Sequence, residues 1–70
     1  MQALSEIRTG AVCTIKWMFG TPEVLEFLHR HQIQEGSTIR VIQNRVENLI
    51  IGTDAYRIVI DSDAAQMIKV

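Results

Sequence analysis

Two histidines on a predicted helix are the first candidates for metal ligands in this sequence. His29 and His31 are two residues apart, a spacing that separates them by about 200° around a helix. Helical zinc-binding pairs use a spacing of three or four residues, which brings both rings to one face. We therefore predict no metal site from these two side chains.

The single cysteine and the acidic residues near the C-terminus give no stronger indication of a site. Cys13 cannot form an internal disulfide and is expected to be a small buried side chain. Asp61 and Asp63 could share a cation with Asp54 or Glu47. The alternative that we favour is that Asp61, or the serine after it, caps a short helical turn.

No arrangement of residues typical of an enzyme is present. No serine has a histidine placed to serve as its base, and the four glycines do not form a phosphate-binding loop. We predict that the chain is not an enzyme and that it needs no cofactor.

Four large apolar residues instead indicate recognition of a partner. Side chains alternate between the two faces of a strand, so Trp17, Met18 and Phe19 cannot all enter one core. Phe27 lies at the edge of the apolar face of the helix that follows. One interpretation is that the helix covers these residues. The other is that Trp17, Met18, Phe19 and Phe27 form a docking site for another protein or a second copy, since such residues are enriched in interface cores.

Length and composition limit the function classes further. Seventy residues, 47% of them hydrophobic, form one domain over residues 1–70. The net charge of −1 without basic clusters argues against nucleic-acid binding. No apolar run approaches the roughly 20 residues of a membrane span, and no signal peptide is recognisable. We expect a cytoplasmic protein with no direct membrane insertion, and the composition leaves self-association open.

One short helix and several short strands must position these residues. Thr21 as N-cap and Pro22 at the first helical position predict a helix start, and the helix should stop near Gln32, before a turn at Gly36. Its apolar face is predicted to comprise Val24, Leu25, Leu28 and His31.

Alternating residues predict about five strands. The first covers residues 11–17 and places Ala11, Cys13, Ile15 and Trp17 on one face. Others are predicted at residues 37–44, 49–51, 56–60 and 67–70, with one helical turn at residues 61–66. Short strands joined by turns favour a small antiparallel barrel, mainly all-β, with one helix inserted after the first strand.

The order of these elements resembles the FeoA family, small SH3-like domains associated with bacterial ferrous iron uptake. The matching positions in the first half are Leu4, Ile7, Gly10, Ile15, Met18, Gly20, Leu28, Ile33 and Gly36. Those in the second half are Ile39, Val41, Ile42, Ile60, Ala65, Ile68 and Val70. The sequence departs from the family pattern at Gln32, where a glycine is usual, at Glu35, where a proline is common, and in a short connection over residues 44–48.

This resemblance implies a function for the chain. It implies a small accessory protein that binds FeoB, the membrane iron transporter with a GTPase domain, and supports or regulates iron uptake. The same domain occurs at the C-terminus of repressors resembling the diphtheria toxin repressor. The alternative is therefore a metal-sensing module that binds a transition metal ion. Because the chain begins with Met1 and has no helical DNA-binding part, we favour a free-standing FeoA-like protein.

Overall fold

The computed structural model describes all 70 residues and consists mainly of antiparallel strands. The strands are β1 Val12–Thr14, β2 Trp17–Met18, β3 Thr38–Asn44, β4 Asn48–Gly52, β5 Arg57–Asp61 and β6 Ile68–Lys69; the helices are α1 Pro22–Arg30 and α2 Ser62–Gln66, and a 3-10 turn covers Leu4–Glu6. One sheet has the order β1-β3-β4-β5 and a second pairs β2 with β6. This architecture confirms the predicted mainly β fold with its principal helix after the first strands.

The first predicted strand, residues 11–17, is divided between the two sheets. Ile15 donates its backbone N–H to Ser37 O at 2.9 Å, whereas Lys16 donates to Lys69 O at 2.8 Å. Consecutive residues therefore bond to different sheets, and the chain turns a corner between β1 and β2. The prediction that Ile15 and Trp17 share one face is wrong, because Ile15 is 1% exposed and Trp17 is 48% exposed.

The core lies between the two sheets and under α1. Alternate residues of β3, β4 and β5 point inward. α1 contributes Leu28, the 3-10 turn contributes Leu4, and α2 contributes Ala65. The twelve buried core residues are Leu4, Ile15, Leu28, Ile33, Ile39, Val41, Leu49, Ile51, Ile58, Ile60, Ala65 and Ile68.

Both ends of α1 are closed by local hydrogen bonds. The Thr21 hydroxyl accepts from the backbone N–H of Val24 at 3.3 Å, as predicted for the N-cap. At the other end, Ile33 donates its N–H to Leu28 O and Gln32 donates to His29 O, both at 2.9 Å. This is a Schellman motif, which needs a left-handed residue after the helix. Gln32 supplies it with a φ of 62°.

The later elements agree with their predicted positions apart from small shifts at their ends. Tyr56 closes the β4–β5 hairpin, accepting at its carbonyl the N–H of Thr53 at 2.8 Å. It precedes β5 and is 41% exposed, whereas Ile58 and Ile60 are buried. Neither helix has the length and apolarity required to cross a membrane.

Candidate partner-binding surface

The pairing of β2 with β6 determines the positions of Trp17 and Phe19. Trp17 lies opposite Lys69, and Met18 lies opposite Ile68. Just beyond the pair, Phe19 donates its backbone N–H to Met67 O at 2.8 Å. Because neighbouring strand residues alternate, Trp17 and Phe19 point away from the core while Met18 points toward buried Ile68.

The outward face of this strand pair is apolar. Trp17 is 48% exposed and Phe19 is 53% exposed. Together with Met1 and Lys69 they line one open depression, and these four residues are here called the Trp17–Phe19 face. Exposed Met67 adjoins it through its backbone bond to Phe19. A contiguous exposed group of Trp, Phe and Met side chains is typical of a site that another surface covers.

The structure does not place the other two predicted site residues on this face. Met18 is half-buried and packs against the core, while its backbone N–H donates to a Glu35 carboxylate oxygen at 3.3 Å. Glu35, which replaces the family's common proline, thus satisfies a donor at the edge of β2.

Phe27 lies on α1 and borders a different depression, which it shares with Val59 and Ala64 among others. Its ring centroid is 4.6 Å from that of His31, and the His31 ring lies 5.0 Å from the ring of Tyr56. The structure therefore brings Trp17 and Phe19 together but places Phe27 in a separate aromatic group.

The histidines take part in different contacts. His31 Nδ1 lies 2.9 Å from Phe27 O, four residues earlier in α1, while His29 is exposed beside Met18 and Glu35. No group of three or more histidine, cysteine or acidic side chains is close enough to hold a metal ion.

The surroundings of the remaining candidate residues, Cys13 and Asp61, do not indicate a functional site. Cys13 packs half-buried against the core, and this burial raises the pKa of its thiol above the ordinary value. Asp61 occupies the N-cap position of α2, but its side chain makes no capping hydrogen bond. The Ser62 hydroxyl instead donates to Val46 O at 2.8 Å, so the predicted side-chain cap of α2 is not formed.

Several residues of the surface were missed by the sequence reasoning. Met67 and Lys69 are brought beside Phe19 and Trp17 by the pairing of β2 with β6. Met1 is brought there by the backbone hydrogen bonds between Gln2 and Val70. The pattern at residues 67–70 predicts a strand but does not show which strand is its partner, so the sequence carries no signal for this proximity.

Comparison with known proteins identifies the family. The FeoA domain family model matches residues 2–70. This chain belongs to the FeoA family. A crystal structure of an iron uptake regulatory protein (FeoA) is similar, with a TM-score of 0.82 at 22% identity over 94% of this chain and 89% of that one. The SH3-like barrel predicted from the sequence is thereby confirmed.

Metal-dependent repressors share the same fold. A manganese-dependent transcriptional repressor superposes with a TM-score of 0.85 at 24% identity over 96% of this chain and 39% of that one. The structure of ScaR with bound Zn²⁺ superposes with a TM-score of 0.81 at 21% identity, over 97% of this chain and 35% of that one. This chain thus spans less than two-fifths of the length of either repressor. The likeness shows that the chain and part of each repressor have the same fold. A search of curated proteins found no match.

Proposed function

We propose that this FeoA-family protein is a non-catalytic cytoplasmic accessory protein that binds a FeoB-like iron transporter and supports or regulates iron uptake. Membership of the family indicates a role in ferrous iron transport. The FeoB-like partner is the one implied by the family resemblance. The proposed mechanism is apolar docking, and it rests on the exposure of Trp17 and Phe19.

The Trp17–Phe19 face can supply the binding energy that such docking requires. Aromatic side chains bury 150–250 Å² each when fully covered, and about half of that area remains open on Trp17 and Phe19. At about 25 cal/mol per Å² of apolar area, covering either ring contributes roughly 2 kcal/mol. Lys69, at the border of the same depression, would contribute to orientation through an acidic group on the transporter.

A pull-down from membranes that contain the transporter tests this mechanism. The wild-type chain should recover the FeoB-like transporter, and Trp17→Ala should recover much less. Val46→Ala is the matched control, because Val46 is 94% exposed and lies outside the face. Equal recovery by Trp17→Ala and Val46→Ala would contradict the mechanism. Thermal melting of each variant separates lost binding from lost folding.

The two remaining predicted site residues can be tested in the same assay. Phe27→Ala tests whether the aromatic group of Phe27, His31 and Tyr56 belongs to the docking surface. Met18→Leu tests whether the half-buried Met18 side chain contributes to transporter binding. If docking uses only the Trp17–Phe19 face, both variants should recover the transporter like the wild type. Reduced recovery by Phe27→Ala with unchanged melting would extend the surface to α1.

The second candidate function is a metal-sensing module. Its supporting observation is the likeness to repressors that include ScaR with bound Zn²⁺. A transition metal that binds the folded chain would raise its melting temperature as the metal concentration exceeds the dissociation constant. The side chains present fit this role poorly, since they form no group of three ligands. We therefore expect no shift in melting with Fe²⁺, Mn²⁺ or Zn²⁺, and a saturable shift would favour the sensing function.

A further inference from the structure

Two arginines flank a glycine on the outer face of the four-stranded sheet. The register places Arg40 of β3 opposite Gly52 of β4, and Gly52 opposite Arg57 of β5. Their sequence neighbours Ile39, Val41 and Ile58 are buried, so the arginines lie on the opposite, solvent-facing side. Strands are 4.7–4.9 Å apart, which puts the two arginine Cα atoms about 10 Å from each other.

The glycine between the arginines gives the Ile42 side chain room to lie over the strand. A Cβ added to Gly52 would lie 2.8 Å from Ile42 Cδ1, so the Ile42 side chain already covers the strand at this point. Arg40, Arg57, Ile42 and the partly exposed Tyr56 line a depression of about 340 Å³ over Gly52. This depression, here called the arginine cleft, combines an apolar floor with a guanidinium on each side.

Neither arginine of the cleft is neutralised by the chain itself. The one salt bridge in the molecule joins Arg30 to Glu26 on α1 at 2.7 Å. Arg40 Nη1 donates to Gly10 O at 3.2 Å, which leaves its other N–H groups available. Asp54 is the only acidic residue in the lining. The cleft is therefore locally positive on a chain whose net charge is −1.

We propose that the arginine cleft binds an extended acidic segment of a partner protein, with carboxylates at alternate positions, one for each arginine. Alternate side chains of an extended segment project to the same side about 6.5–7 Å apart. The two arginine side chains match this spacing when they lean inward over Gly52, for which Arg40 exchanges its hydrogen bond to Gly10 O for one to a carboxylate. Each guanidinium can then hold a carboxylate by two parallel hydrogen bonds. The methylene groups of the acidic side chains would rest on Ile42 and Tyr56.

A nucleic acid fits the same surface less well. Proteins that bind the phosphate backbone of a nucleic acid use clustered Lys and Arg side chains. This cleft has only two arginines, and Asp54 lies in its lining. The inference is also independent of the proposed transporter contact, because the cleft lies on the four-stranded sheet and the Trp17–Phe19 face lies on the β2–β6 pair.

Titration of the ¹⁵N-labelled full-length chain with two synthetic peptides tests the proposal. One peptide, acetyl-Thr-Glu-Val-Glu-Thr-amide, has its acids at alternate positions; the other, acetyl-Thr-Glu-Glu-Val-Thr-amide, has the same composition with adjacent acids. At low salt the first should bind about threefold more tightly, with amide shifts centred on Arg40, Gly52 and Arg57. No saturable shifts there, or equal affinities for the two peptides, would overturn the proposal.

Charge-removing variants provide the second arm of the same experiment. Arg40→Gln and Arg57→Gln should each weaken binding of the alternating peptide about three- to fivefold, and added salt should weaken it further. Arg45→Gln removes the same charge from the exposed β3–β4 turn and should leave the affinity unchanged. If all three variants weaken binding equally, the attraction is that of net charge and the cleft is not a site.

Discussion

The Asn44 side chain connects the beginning of the chain to the sheet. Its amide nitrogen donates to Ser5 O at 3.0 Å and to Ile7 O at 2.7 Å. Its backbone N–H donates to the Thr9 hydroxyl at 3.2 Å. These bonds satisfy one carbonyl group within the 3-10 turn and one just after it. Because they connect residues 35 or more positions apart, they help to position Leu4 in the core.

Replacing Asn44 should therefore cost more than replacing an exposed neighbour on the same strand. Asn44→Ala leaves two part-buried carbonyls without their donor, and we expect the free energy of unfolding to fall by about 2 kcal/mol. Gln43→Ala, at an exposed position of β3, is the control and should change it by less than about 0.5 kcal/mol. Urea unfolding measures both, and similar losses would show that the Asn44 bonds contribute little.

At the scale of one element, α1 ends with a residue poorly suited to its conformation. The Schellman motif places Gln32 in the left-handed region at φ 62°, where an L side chain costs roughly 1–2 kcal/mol. The motif is nevertheless formed, because it joins Ile33 to Leu28 and both side chains are completely buried. Packing of this pair in the core outweighs the local strain.

Glycine at this position should stabilise the protein. Gln32→Gly removes the strain but adds freedom to the unfolded chain, so the expected net gain is about 0.5–1 kcal/mol. In a domain of this size the melting temperature should rise by about 4 °C. Gln34→Gly, two residues later and not at positive φ, should not raise it. A lower melting temperature for Gln32→Gly would contradict this account of the helix end.

Local sequence patterns predict the elements well and their partners poorly. Alternation correctly predicts strands at β3 and β5, and Thr21 with Pro22 correctly predicts the start of α1. The division of the first strand at Ile15 and Lys16 was missed, because it depends on hydrogen bonds to Ser37 and Lys69, distant in sequence.

The candidate sites depend even more strongly on this non-local pairing. The exposure of Trp17 or Phe19 follows from three large apolar residues in succession, which alternation cannot bury together. That Arg40 and Arg57 flank Gly52 follows from strand register, and that Phe27 lies apart from Trp17 follows from the packing of α1. Register is set by the assembled sheet, so no local pattern reveals it.

For the whole molecule, stability depends on one small core that every element shares. A chain of 70 residues buries only about 60% of its unfolded surface, and here twelve residues form the core. Leu28 is the only fully buried side chain of α1. Leu28, with half-buried Val24 packed against the same core, attaches α1 to the barrel.

Shortening Leu28 should destabilise the entire domain rather than α1 alone. Leu28→Ala leaves a cavity and should cost 2–5 kcal/mol, a large fraction of the stability of a small domain. Far-UV circular dichroism and amide exchange should report one cooperative transition at a much lower temperature. If α1 alone lost exchange protection while β3 and β4 kept theirs, the helix would be an independent unit.

The proposal that the Trp17–Phe19 face binds a FeoB-like transporter is tested by the dissociation constant of that complex. The measurement compares wild type, Trp17→Ala and Val46→Ala against the detergent-solubilised transporter. Loss of roughly 2 kcal/mol of apolar contact predicts about 30-fold weaker binding for Trp17→Ala, with Val46→Ala equal to wild type. Identical dissociation constants for wild type and a folded Trp17→Ala variant would contradict the claim.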